Sequence, residues 1–508
     1  MIAKVSCGAL MGIDAFKVDL EVDLTRQGMP AFTMVGLAEG AVKESKERVF
    51  SALKNSGYRI PPSRITVNLA PADIRKAGSA YDLPLAASLL GAAGVIDQSL
   101  LEGWFMAGEL SLSGGVKAVH GILPLAIEAR NKGAKGLIVS PENVNEAAVV
   151  EGLTVYGVST LSQLVNFLIG EESMEPAVVD TDLLWSGRQS FGMDFSEVKG
   201  QEHAKRAIEI GAAGNHNLLF VGPPGSGKTM LARRIPTVLP SLIFEEALEV
   251  TKIYSVSGQL DRDKSLMVTR PFRAPHHTIS DAGLIGGGAY PKPGEVSLAH
   301  RGVLFLDELP EFKKNVLEVL RQPLEGGEVT ISRAAMSLSY PADFMLVAAM
   351  NPCPCGYSTD ERHACTCSAQ AVNRYRSKLS GPLLDRIDLQ IEVPAVEYKD
   401  LRDSSGLDSS SMRANIERVR EIQAGRYKGM GILTNSELSG SSLEKFCKLG
   451  EAEHGFLEQA VRSLGLSARA YTRILRISRT IADLAETEMI QVTHLAEAIN
   501  YRSMDRQG

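Results

Sequence analysis

The chain has 508 residues, with 54 Lys and Arg against 60 Asp and Glu, giving a formal charge of −6. Its 44% hydrophobic and 22% charged residues fit an ordinary globular protein and exclude disordered, collagen-like and disulfide-scaffold classes. At about 150 residues per domain, the length suggests roughly three domains, and a mildly acidic total neither favours nor excludes nucleic acid, since binding depends on local charge.

The first segment, 1–170, opens with alternating strand-like stretches at Phe16–Val22 and Phe32–Val35, a helical run from Gly40 to Ser56, a strand at Ile65–Asn68 and an Ala/Leu-rich helix from Leu83, a mixed α+β pattern. The apolar run Leu83–Ile96 has 14 residues, short of the roughly 20 that span a bilayer. The N-terminal MIAKVSCGALMGIDAF shows no charged segment followed by a long apolar one, so the expectation is a cytoplasmic protein with no membrane partner. Eight Lys/Arg stand against three Asp/Glu between Lys43 and Lys76, readable as a DNA-binding or assembly surface or as a solvated helix face. Residues 171–190, acidic and aperiodic, read as a linker. From 191 to 396 helical signals alternate with short apolar strands at Asn217–Val221, Gly302–Leu306 and Phe344–Met350, the pattern of a parallel sheet wrapped in helices. From 397 to 508 strands give way to amphipathic helices at Met412–Arg426, Glu451–Leu464, Ala468–Ala485 and Thr493–Tyr501, a helical lid.

The segment NLLFVGPPGSGKTMLARRI places Gly222, Pro223, Pro224, Gly225, Ser226, Gly227, Lys228 and Thr229 between an apolar strand and a helix. In such a loop glycines let backbone N–H groups wrap phosphates, Lys228 reaches the β/γ-phosphates, and the Thr229 hydroxyl ligates Mg²⁺. The strand VLFLDELPEF delivers Asp307 and Glu308 to its C-terminal edge, one acid for Mg²⁺ and one to polarise water. FMLVAAMNP ends in Asn351, an amide suited to orienting the attacking water or the γ-phosphate, or else a turn residue before Pro352. Arg386, in GPLLDRIDL, either bridges to a neighbouring subunit's γ-phosphate or pairs with Asp385 or Asp388. Arg462, Arg469, Arg473, Arg476 and Arg479 follow one another with no acid between Val461 and Arg479, and Arg469, Arg473 and Arg476 share a helical face that is either solvated or turned to phosphate or DNA.

With these elements in this order, the region from Val198 to about Arg502 resembles the AAA+ ATPases of the magnesium-chelatase-like branch. RPFRAPHHTIS, LIGGGAYPKPGEVSLAHRGVLFLDELPEF, LRQPLEGGEVTISRA and AAMNPCPCG are similar to the YifB/ComM competence family, and with the N-terminal domain the resemblance covers nearly the whole chain. It implies that Gly222 to Thr229 is the Walker A loop, Asp307 and Glu308 Walker B, Asn351 sensor 1, Arg386 the arginine finger and Arg469 the sensor 2 arginine. It implies ATP and Mg²⁺ as cofactors and a homo-hexamer with DNA, branched or single-stranded, in its channel, working with recombination proteins. Phe272–Gly294 and the hairpin EVTISRAAMSLSY resemble the insertions this branch points at its substrate, making Arg273, Lys292 and Arg333 candidate DNA contacts.

GSAYDLPLAASLL and GELSLSGGVKAVHGILPLAIEA resemble the Lon-protease fold, of the ribosomal S5 domain 2-like kind. A peptidase of that type needs a Ser activated by a Lys, and an ungapped comparison puts Ala80 and Leu123 at those positions, with Ser79 and Lys117 nearby. The expectation is a non-catalytic domain. Six cysteines in all, four of them as Cys353, Cys355, Cys365 and Cys367 beside His363, indicate reduced thiols with one candidate Zn²⁺ site, although zinc sites more often have two residues between ligands than one. The resemblance implies an ATP-driven hexameric DNA motor promoting branch migration of recombination intermediates, as in natural transformation. The competing reading is a chelatase-type motor that remodels a protein partner, against which stands the lack of a D-x-S-x-S adhesion signature.

Overall fold

A computed structural model of the chain describes residues 1–180, 191–261, 264–288, 290–333, 336–360, 362–396 and 407–502. The chain divides into two compact units, Met1–Arg188 with Phe244–Val268, and Gln189–Ile243 with Thr269–Gly508. Half of the expected linker, 181–190, and the start of the expected lid, 397–406, lie outside the described residues.

The first unit is built on strands β1 (Ile2–Met11), β2 (Asp14–Thr25), β3 (Ala31–Val35), β4 (Arg64–Ala70), β5 (Trp104–Met106), β6 (Gly136–Val139) and β7 (Val155–Gly157). They form one mixed sheet in the order β3-β4-β2-β1-β5-β6-β7. Alternation drives the hairpin β1–β2: Ala3, Val5, Cys7 and Ala9 face inward opposite Val18, Leu20, Val22 and Leu24. The helix Gly40–Asn55 buries Val42, Val49, Ala52 and Leu53, and the helix Asp82–Ala93 is covered on every side, which its continuous Ala/Leu run requires. The helix Phe244–Ser257 belongs to this unit: Gly121 N–H donates to the Ser255 carbonyl at 3.2 Å and the Ser255 hydroxyl donates to the buried Glu146 carboxylate.

The second unit carries five parallel strands, β8 (Leu218–Val221), β9 (Phe272–Arg273), β10 (Val303–Leu306), β11 (Met345–Met350) and β12 (Leu389–Glu392), in the order β9-β10-β11-β8-β12. β10 and β11 are buried at every residue, as parallel strands sandwiched between helices are. The C-terminal helices Ser409–Arg426, Glu451–Leu464, Ala468–Leu484 and Val492–Asn500 share its core: Met412, Ile416, Ile474 and Ile481 join one apolar cluster with Leu218 and Val347. At the centre of these helices Asp483 accepts from Arg426, Arg479 and Asn435. The hairpin Glu328–Arg333/Met336–Pro341 turns Val329, Ile331 and Tyr340 inward and pairs the hydroxyls of Thr330 with Ser339 and Ser332 with Ser337 outside.

Candidate nucleotide site

Because β10, β11 and β8 are adjacent and parallel, their carboxyl ends deliver Asp307, Asn351 and Gly222 to a single edge of the sheet. The phosphate loop leaves β8 with Gly222 N–H bound to the Met350 carbonyl at 3.2 Å, and a Cβ there would lie 2.1 Å from the Val393 carbonyl oxygen, so only glycine fits. Lys228 opens the helix Lys228–Arg234 and folds back over the loop, its Nζ donating to the carbonyls of Gly222 and Pro223 at 2.8 Å each and to Asn351 Oδ1 at 3.4 Å. Burial holds its ammonium below the usual lysine range. Its hydrogen-bond acceptors among the described residues are neutral oxygens, so a phosphate would be its first bonded anion.

Thr229 Oγ1 donates to Asp307 Oδ2 at 2.7 Å, and Asp307 Oδ1 accepts the Glu308 N–H at 2.9 Å. A hydroxyl and a carboxylate joined this closely form an all-oxygen donor set suited to hard, octahedral Mg²⁺, which when bound supplies charge stabilisation to a phosphoryl group. Glu308 adopts a left-handed backbone (φ 53°) and its carboxylate is exposed, 3.4 Å from His277 Nδ1. Glu308 lies beyond the end of β10, at the start of the turn Leu309–Glu311. His277, the neighbour of Glu308, was not legible as a site residue; its phrase, RPFRAPHHTIS, carried the resemblance without a role for either histidine.

Beside Glu308 and Asn351 opens a cavity of about 640 Å³, also lined by Glu311, Arg374, Tyr375 and Lys378. Lys378 reaches Glu311 at 3.3 Å, and burial pushes the Tyr375 hydroxyl up to about 12. Arg374, Tyr375 and Lys378 lie on or just after the helix Ala369–Arg376, which is only eight residues long and too short to stand out in the sequence.

Arg386 stands just after the short helix Gly381–Leu384 and forms an ion pair with Glu325, not with Asp385 or Asp388. Arg469, exposed, donates to Asp385 at 2.7 Å. The expected basic helix face is corrected by the fold. Arg473 is largely buried against Asp388 at 3.3 Å, Arg476 donates to the Leu438 carbonyl, and Arg479 is buried against Asp483 and the Thr487 and Glu488 carbonyls. The absence of acids within Val461–Arg479 concealed partners supplied from elsewhere. Arg273 is likewise bound in a fork to Glu295 at 2.6 and 2.7 Å, while Lys292 and Arg333 are exposed.

In the first unit, Ser79 donates to Glu109, Leu123 is fully buried with its N–H on Glu146 at 2.8 Å, and Lys117 is exposed; no Ser–Lys pair occurs among the described residues of this unit. The basic stretch 43–76 is not one surface either: Arg48 is held by Asp82 at 2.7 and 3.0 Å and Lys76 is buried on the Pro71 carbonyl. No helix among the described residues is long and apolar enough to cross a membrane.

The Sγ atoms of Cys353, Cys355, Cys365 and Cys367 all lie within 4.8 Å of one another, so the four could hold one metal ion. Backbone N–H groups at Tyr357 and Thr366 draw the Cys355 thiol down to about 5, while, against the pull of the Cys355 N–H, desolvation and the neighbouring Cys355 and Cys353 sulfurs push the Cys367 thiol up to about 12. His363 is bound instead to Asp360, at 2.8 Å.

A phosphate loop, an acidic pair and a polar amide on neighbouring strand ends, with a helical domain sharing the same core, define a P-loop ATPase of the AAA+ class. Comparison with known proteins agrees. The family model described as "Magnesium chelatase, subunit ChlI" matches residues 194–401, "Subunit ChlI of Mg-chelatase" matches 20–143, and "Magnesium chelatase, subunit ChlI C-terminal" matches 406–502. The chain is 47% identical to Competence protein ComM of Haemophilus influenzae over 99% of its own length and 98% of the relative's. It is 43% identical to the uncharacterized protein YifB of Escherichia coli, over 98% and 96%. Identity to the magnesium-chelatase 38 kDa subunit of Rhodobacter capsulatus is 27% over 41% of this chain and 61% of that subunit. The chain belongs to the YifB/ComM family of magnesium-chelatase-like AAA+ ATPases, whose cofactors are ATP and Mg²⁺.

Proposed function

We propose that this ATPase is a cytoplasmic DNA motor that assembles as a homo-hexamer and drives branch migration of recombination intermediates, as in natural transformation and together with recombination proteins. The observation that carries the reading is the bonded set Lys228–Asn351 and Thr229–Asp307 beneath an exposed, positioned Glu308, in a chain similar over almost its full length to a relative named a competence protein. In this reading Gly222 to Thr229 cradle the triphosphate, Thr229 and Asp307 hold Mg²⁺, Glu308 polarises the attacking water and Asn351 orients it. Arg386 leaves Glu325 to reach a neighbouring subunit's γ-phosphate, and Arg469 leaves Asp385 to sense nucleotide. The candidate DNA contacts are Lys292, in the 272–294 segment, and Arg333, in the hairpin, and the four cysteines take zinc.

The competing reading, a chelatase-type motor acting on a protein partner, draws on the partial similarity to the 38 kDa chelatase subunit. The separating experiment mixes the purified protein, ATP, Mg²⁺ and a labelled four-way DNA junction, with Lys228→Ala in parallel. Conversion of the junction to duplex arms by the wild type, with the variant only binding, is expected. ATP hydrolysis without binding or movement of DNA would transfer the assignment to protein remodelling.

A further inference from the structure

The cysteine cluster has the dimensions of a metal cage. Cys353 Sγ lies 3.4 Å from Cys355 Sγ and 3.8 Å from Cys365 Sγ, and Cys355 Sγ lies 3.6 Å from Cys365 Sγ. Four thiolates about 2.3 Å from a tetrahedral Zn²⁺ stand about 3.8 Å from each other, whereas a disulfide requires about 2.05 Å. The sulfurs are also set up as acceptors: Cys355 N–H points to Cys367 Sγ and Cys367 N–H to Cys365 Sγ, each at 3.4 Å. Amides aimed at sulfur stabilise thiolate over thiol, and four thiolates this close repel unless a cation sits among them. Soft sulfur ligands in a closed set of four select Zn²⁺ in a structural role.

The cage stands against the nucleotide site. Cys353 follows Asn351 by two residues, and the turn Cys353-Pro354-Cys355-Gly356 closes with Gly356 N–H on the Cys353 carbonyl at 3.0 Å. Gly356 (φ +91°) lies so near the phosphate loop that a Cβ there would be 2.6 Å from Pro224 Cδ. On the far side, Arg376 Nε donates to the Pro352 carbonyl at 3.4 Å. Between the two cysteine pairs, residues 357–364 contribute no strand or helix among those described, and the ends of the loop meet through the thiols and through the Tyr357 and His363 rings, 4.9 Å apart.

We propose that Cys353, Cys355, Cys365 and Cys367 bind one Zn²⁺, and that this ion clamps the turn that supports Asn351 and Pro224, making nucleotide binding zinc-dependent. The proposal rests on the ATPase reading of the site and adds to it a metal that takes no part in the chemistry. Metal content comes first: untagged full-length protein should carry about one zinc per chain by elemental analysis, and Cys365→Ser/Cys367→Ser, which alters only partly or fully exposed positions, should carry under about a tenth of that. The second readout is affinity for a fluorescent ATP analogue, expected to weaken about tenfold or more in the variant and in chelator-treated wild type, and to recover when Zn²⁺ is returned to the latter. Reversible recovery separates the clamp from misfolding of the variant. Wild-type protein without zinc, its four thiols reacting rapidly in the native state, overturns the site. Zinc present but nucleotide affinity unchanged on its removal overturns the clamp and leaves the site. A zinc-loaded wild type that binds no ATP overturns the ATPase reading instead.

Discussion

Gly356→Ala tests whether the phosphate loop leans on the cysteine turn. At φ +91° an alanine carries about 1–2 kcal/mol of backbone strain. Its methyl would also start 2.6 Å from Pro224 Cδ and 2.8 Å from Pro224 Cγ, whereas carbon atoms settle at about 3.5–4.0 Å, so turn and loop must separate by about 1 Å. A misplacement of that size in a catalytic site costs up to about 10²-fold in rate, equivalent to about 2.7 kcal/mol of barrier. Steady-state ATP hydrolysis, affinity for a fluorescent ATP analogue and thermal unfolding are measured together. Gly429→Ala is the control, because Gly429 also has a positive φ (+79°) yet a Cβ there meets nothing within 4 Å; it should lose a similar increment of stability and keep full activity. If Gly356→Ala hydrolyses ATP within twofold of wild type, the contact does not support the loop and the argument from it fails.

Glu308→Gln keeps the size of the side chain but removes the carboxylate that polarises water, so hydrolysis should fall at least about 10²-fold while nucleotide binding stays within a few-fold in a filter or fluorescence assay. Asp483→Ala strips the shared acceptor from Arg426, Arg479 and Asn435 where Asp483 is 2% exposed, and should cost about 3–5 kcal/mol in denaturant unfolding of the ATPase unit. Asp388 gives a pH signature: burial alone would raise its carboxyl, but His216, Arg473 and Arg476 outweigh burial and hold it below the usual range. A depressed folded-state value contributes stability above the unfolded value of about 3.9 and loses it as pH falls through the folded one. The melting-temperature gap between wild type and Asp388→Asn should therefore be constant from pH 7 to 5 and close below about pH 4. Lys292→Ala/Arg333→Ala should leave basal ATPase intact, weaken DNA binding about uniformly across sequences and reduce the salt slope of log affinity by about two.

The sequence was most readable where a local pattern and the tertiary demand coincide. Apart from β1, both sheets' longer strands and the long C-terminal helices fall within a few residues of their periodic signals, because an apolar run such as VLFL or MLVAAM has only a buried parallel strand to become. β1 was not anticipated, since its inward face is carried by the small residues Ala3, Cys7 and Ala9, whose alternation is faint in hydropathy. At the site, Lys228, Thr229, Asp307 and Asn351 were identifiable because each sits at a fixed offset from a strand end. His277, Arg374, Tyr375 and Lys378 were not, since what brings them to Glu308 or its cavity is packing between segments tens of residues apart.

The same distinction governs what charge can be used for. Counting residues along Val461–Arg479 finds five arginines and suggests a surface for phosphate, yet Arg473, Arg476 and Arg479 have their guanidinium groups committed to Asp388, a carbonyl and Asp483 within the unit. Arg273 and Arg48 are held in forks by Glu295 and Asp82 in the same way. Freeing Arg473, Arg273 or Arg48 for DNA would strand a buried or half-buried carboxylate, and freeing Arg476 a main-chain carbonyl, costs that one phosphate contact does not recover. Arg469 differs: it is exposed, its bond to Asp385 is a surface ion pair worth about 1 kcal/mol or less, and exchanging that carboxylate for a nucleotide phosphate is nearly neutral. Held this weakly, Arg469 can exchange partners at less cost than its neighbours Arg473 and Arg476 on the same helix face.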